Sequence, residues 1–152
     1  MSVHQLVQHQ QIPASLEKVW KFFSSAKNLQ TITPEYMNFH VTSGDQPEEI
    51  HPGQIITYTV SPVLSIPVFW MTEITQVQPL KMFVDEQRRG PYKMWHHQHH
   101  FIEKDGGVFM TDIVHYQLPL GFLRELTRWL FVKRQLENVF AFRTQKVKEI
   151  FG

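Results

Sequence analysis

The chain has 152 residues, 42% of them hydrophobic and 19% charged, with 15 Lys and Arg against 14 Asp and Glu and a formal net charge of +1. That length suits one domain spanning residues 1–152 with a sizeable core, and the composition excludes a disordered chain. The lack of cysteine excludes disulfides, zinc–cysteine sites and a thiol nucleophile, and the near-neutral charge gives no reason to expect DNA as a partner.

No run approaches the roughly 18 apolar residues of a membrane span. The opening MSVHQLVQHQQIP lacks the basic start and apolar stretch of a secretory signal. A cytoplasmic protein without integral membrane association is therefore expected.

Val3, Leu6, Val7 and Ile12 mark a first strand, ended by Pro13. Ser15 is placed to cap a helix over 15–24, in which Leu16, Val19, Trp20 and Phe23 share one face. A second short helix is expected from Ala26 to Ile32, before Pro34. The alternation of Met37, Phe39 and Val41 then predicts a strand. The Gly and Pro residues between Ser43 and Pro52 mark a loop.

Strands are predicted at Ile55–Val60, Val68–Val77, Met82–Gln87, Tyr92–Glu103 and Val108–Leu118, with turns at 61–67, at Pro79 and at 88–91. Leu123, Leu126, Trp129, Leu130, Leu136, Val139, Phe140, Val147 and Ile150 recur at helical spacing. They predict a helix over 122–150, on the order of 40 Å long, with a kink near Val132. Its other face carries Arg124, Arg128, Lys133, Arg134, Arg143, Lys146 and Lys148, read as a solvated surface.

Strand, two short helices, six strands and a long helix make an α+β chain. Tight turns between consecutive strands imply an antiparallel sheet of about seven strands. Only the last helix is large enough to cover one face of that sheet. A curved sheet closing on it is expected, with a cavity between the two.

The run GPYKMWHHQHHF leads from the turn at 88–91 into the strand Tyr92–Glu103, with four His between Tyr92 and His100. Alternation puts Trp95, His97, His99 and Phe101 on one face and His96, Gln98 and His100 on the other. The bulkier aromatics assign the first set to the cavity side. Asp105-Gly106 reads as a two-residue hairpin turn, which pairs Lys104 with Gly107. His99 then faces Asp112, His97 faces Val114, Phe101 faces Met110 and Trp95 faces Tyr116, each pair about 5 Å apart at Cβ. A three- or five-residue loop would reverse the parity.

His97, His99 and Asp112 are thus expected to share the inner face. Such a trio can line a polar part of a cavity, satisfy buried hydrogen bonds, hold zinc or a related divalent metal, or move a proton. Asp85 shares a face with Phe83 and Gln87, but Met82 and Val84 argue equally for the opposite face being the buried one. Trp70 and Thr72 lie on the same face as Ile74. With Tyr116, and with Leu126 and Trp129 at one end, they complete the candidate ligand-binding set. No phosphate loop, serine elbow or dinucleotide fingerprint is present, so no cofactor is expected.

The order of elements resembles the helix-grip fold of START-like proteins, the superfamily of the birch-pollen allergens and polyketide cyclases. Ile12-Pro13 with Leu16, Val19, Trp20 and Phe23 is similar to that fold's opening strand and helix. Phe83-Val84-Asp85-Glu86-Gln87, Gly90-Pro91-Tyr92, Trp95-His96-His97, His99, Phe101, Gly106-Gly107, Thr111-Asp112 and Arg134-Gln135-Leu136-Glu137 resemble a bacterial SRPBCC subfamily of ligand-binding domains, members of which are often labelled cell-division inhibitors. The resemblance implies binding or transport of a small hydrophobic molecule such as a lipid, polyketide or aromatic. A cyclase- or hydrolase-like enzyme using the His/Asp cluster, and a cell-division or RNA-associated protein acting through the basic helix, are the alternatives.

Overall fold

Side chains along His4–Ile12 alternate between half-buried and exposed, forming strand β1, and Ile12 ends it inside the core. Helix α1 (Leu16–Phe23) follows, its first turn capped by the Ser15 hydroxyl, which accepts from the Lys18 N–H at 3.3 Å. Val19 and Trp20 are its buried residues.

The next stretch corrects the sequence reading. The helix expected over 26–32 is a single 3-10 turn, Ala26–Leu29, and a second such turn covers Glu35–Met37. Pro34 separates them and bars a continuous helix. Asn38 then takes φ 46°, so the expected strand through Met37 and Phe39 shrinks to β2 (His40–Val41).

Strands β3 (Ile55–Val60), β4 (Val68–Gln78) and β5 (Met82–Arg89) pair in succession. Strand β5 runs two residues further than expected, through Arg88 and Arg89. Strand β6 (Met94–Lys104) starts two residues later than expected. The reason is local: the Gln87 side chain donates to the Tyr92 carbonyl at 2.7 Å and accepts from the Tyr92 N–H at 3.1 Å. Tyr92 is held by a side chain, not by the strand ladder.

Asp105 and Gly106 adopt φ of 52° and 74°, the two left-handed positions of a tight hairpin turn. They lead into β7 (Gly107–Gln117) with Lys104 opposite Gly107 and His99 opposite Asp112, in the predicted register. Helix α2 (Glu125–Phe151) closes the chain and runs unbroken through Val132, where a kink was expected. Leu130 and Ile150, expected on its buried stripe, are exposed.

This computed structural model describes residues 2–62, 65–119 and 125–152, with side chains of the last segment described from Trp129 onward. The predicted helix start at 122–124 lies outside the described residues. The seven strands form one curved antiparallel sheet in the order β1-β7-β6-β5-β4-β3-β2. Two register shifts between β4 and β5 add local bend. Gln8 and Gln10 of β1 donate to the hydroxyl and carbonyl of Thr144 on α2, tying the helix to the sheet edge. Among the described residues no helix is long and apolar enough to cross a membrane.

Two apolar clusters result. One gathers Ile12, Trp20, Phe83, Phe101, Met110 and Val147 near α1. The other gathers Phe39, Trp70, Trp95, Val114, Tyr116, Leu136 and Phe140. Gly107 sits where a Cβ would run into the backbone carbonyl of Ile12. Gly107→Ala must therefore push β1 off β7. It should cost about 1–3 kcal/mol in chemical denaturation. A neutral result would show that the strand edge yields freely.

Candidate functional site

Between the two apolar clusters lies a buried polar group built across three strands. His97 and His99 project inward from β6, with relative exposures of 4% and 5%. Asp112 stands opposite His99 on β7, and Asp85 stands opposite His97 on β5. The imidazoles lie with centroids 3.7 Å apart, tilted by 31°, and Phe83 stacks on His99 at 4.0 Å.

Each imidazole is held between both carboxylates. Asp112 Oδ1 lies 2.8 Å from His97 Nε2 and 3.1 Å from His99 Nδ1. Asp85 Oδ2 lies 2.6 Å from His99 Nε2 and 3.6 Å from His97 Nδ1. Asp85 thus faces inward, settling an orientation its own strand leaves open.

The charges follow from this geometry. Burial pushes the Asp112 carboxyl up, but the hydrogen bond from His97 and the close approach of His99 outweigh it and hold the group well below the usual carboxylate range. Burial also opposes the charged form of Asp85, yet the adjacent His97 ring and the hydrogen bond from His99 lower it. His99 is raised: burial works against its cation, and Asp112 and Asp85 prevail. His97 is lowered, first by burial and then by the neighbouring His99. These directions favour the cation at His99, the neutral ring at His97 and the anionic form of both carboxyl groups.

A fourth element completes it. Arg143 on α2 points down at the group, with its Nη1 3.6 Å from Asp112 Oδ1 and its side chain 12% exposed. This corrects the solvated-face reading of that residue. The signal was available in the sequence: Leu136, Phe140, Arg143 and Val147 fall at i, i+4, i+7 and i+11, one stripe of a helix. With Arg143 cationic and His97 neutral, the five groups sum to zero charge.

Above this group a cavity of about 480 Å³ opens between the sheet and α2. Its walls include Phe39, Tyr58, Trp70, Tyr92, Trp95 and Phe140, with His97 and Arg143 at one end. A smaller chamber of about 140 Å³ lies beside it and contains Thr72, Asp85 and His99. Tyr58, Trp70, Trp95, His97 and Arg143 line both. The Tyr58 hydroxyl is raised well above the ordinary phenol value, by burial first and then by the charge of Asp85.

The structure divides the candidate residues drawn from the sequence. Trp70, Trp95 and His97 line both spaces, and Thr72 and His99 line the smaller one. Phe101 does not reach either and packs instead on Trp20, Phe23 and Phe83. Tyr116 is buried against His4, Tyr92 and Trp95, outside both linings. Trp129 stacks on His4 at 5.0 Å and is not part of a cavity wall. Asp112 sits beneath the histidines and borders neither space. The side chain of Leu126 lies outside the described residues.

The metal question changes its carboxylate. Asp85, His97 and His99 offer one ligand atom each within 4.8 Å of one another, a donor set that suits a divalent metal. The Arg143 guanidinium beside these groups works against adding a cation there.

The architecture can now be placed. Along its whole length the chain superposes on solved structures of the same build. Protein Ms6760 from Mycobacterium smegmatis matches with a TM-score of 0.68 and 15% identity, over 99% of this chain and 96% of that one. Ara h 8.0201 matches with a TM-score of 0.65 and 13% identity, over 97% and 99%. Major latex-like protein 151 from Panax ginseng matches with a TM-score of 0.65 and 12% identity, over 98% and 97%. The fold is the START-like helix grip. At these identities the likeness is one of fold. No family model matches the chain, and no curated protein matches its sequence.

Proposed function

We propose that this chain binds or carries a small, largely hydrophobic molecule in the cavity between sheet and α2. The observation that carries this reading is the 480 Å³ space itself, walled chiefly by aromatic and aliphatic side chains with a few polar groups among them. That size and lining match a small-molecule site. Burial of apolar ligand surface against those rings contributes about 25 cal/mol per Å². His97 and Arg143 supply orientation.

The test is a fluorescence titration with the neutral dye N-phenyl-1-naphthylamine. Wild-type protein should bind it saturably. Val139→Trp puts an indole into the space from a helix position that already lines it. This variant should weaken binding by at least about tenfold, or 1.4 kcal/mol. Wild-type protein that shows no saturable binding, or a variant that binds as well, overturns the reading.

A further inference from the structure

Resting on that reading, we infer that the molecule held in the larger cavity is an organic acid whose anionic head is received by Arg143. The argument begins with an imbalance of donors. The Nε and Nη1 groups of Arg143 are buried and have no hydrogen-bond acceptor in the protein. A guanidinium stays charged in proteins, and donors left unpaired away from water are costly.

The acids nearby do not take up that capacity. Asp112 is already the acceptor for His97 and lies 3.6 Å from Arg143, beyond hydrogen-bond reach. Asp85 is engaged by His99 at 2.6 Å. Arg143 lies over the Phe140 ring at 4.9 Å, a contact that supplies no lone-pair acceptor. Its remaining neighbours in the larger cavity are chiefly rings and aliphatic chains.

A ligand therefore meets an apolar chamber with an under-used planar cation at one end. That combination selects an amphipathic anion: a hydrophobic body with a carboxylate or chemically similar head. A carboxylate can accept two parallel hydrogen bonds from the guanidinium edge, which a hydroxyl cannot match. An ammonium head has no lone pair with which to accept from the guanidinium.

The test pairs 1-pyrenebutyrate with 1-pyrenebutanol, which share ring and chain and differ only in the head. Both are titrated into wild-type protein, Arg143→Met and Arg143→Lys, each checked for folding by circular dichroism. Wild type should bind the acid at least about tenfold more tightly than the alcohol. Arg143→Met should bring the two within about twofold, and Arg143→Lys should keep part of the preference. If Arg143→Met does not fold, the wild-type comparison and the lysine variant decide. Equal binding of acid and alcohol by wild type, or an undiminished preference in Arg143→Met, overturns the head-group assignment but leaves the cavity reading standing. Failure of both probes to bind wild type removes both.

Discussion

Replacing Asp112 by alanine should cost about 3–5 kcal/mol of stability, the range for breaking a buried ion pair from one side. Asp112 is 5% exposed and is the meeting point of His97, His99 and Arg143. Its removal leaves the His99 cation facing Asp85 alone and takes the nearest acid from the guanidinium. It also leaves His97 Nε2 without its acceptor. Asp112→Asn keeps the shape and one acceptor oxygen, and should lose less. Urea unfolding of the two variants against wild type measures both. A loss below about 1 kcal/mol for the alanine variant would mean that the strands hold the histidines without the acid.

The second large effect is a stability maximum near neutrality with losses on both sides. His99 has its folded value raised above 6.5. Its contribution is full below that ordinary value and disappears as pH rises through the folded one. His97 has its folded value lowered below 6.5. Its contribution is present above 6.5 and disappears as pH falls through the lower folded value. Asp85 and Asp112 are lowered from 3.8, so theirs is present above 3.8 and disappears in stronger acid. The loss on the acid side should be the larger, since His100 and Glu86 are lowered as well and add to these three. Urea midpoints measured from pH 3 to pH 9 should trace this shape, and His99→Gln should remove the alkaline decline specifically. A wild-type midpoint that keeps rising to pH 9 would contradict the assignment of the charged imidazole to His99.

The centre of the sheet was legible because one turn carries strong information. Asp105-Gly106 has two positions at positive φ, which fixes a two-residue loop and with it every pair from Trp95–Tyr116 to Lys104–Gly107. The inward set of Trp95, His97, His99 and Phe101 follows from the same parity. Asp85 was not legible, since its alignment to β6 passes through the turn at Gly90–Lys93, which Gln87 ties by side-chain bonds absent from any turn rule. The segment from Ala26 to Phe39 misled because 3-10 turns of three or four residues leave too short a period to read. Arg143 was lost to residue type: a charge on a helix was assigned to water, although its position falls on the apolar stripe. The aliphatic stem of an arginine can lie along a core while its head approaches a buried acid.

His97 and Arg143 belong to the walls of both chambers. Whatever occupies the larger one displaces solvent from one side of groups whose other side touches the acids below. Occupancy and proton binding thereby become reciprocal variables: a molecule that favours one protonation state must be favoured by it in return. The pocket is then also an indicator, in which a proton released or taken up in solution registers the arrival of an uncoloured guest.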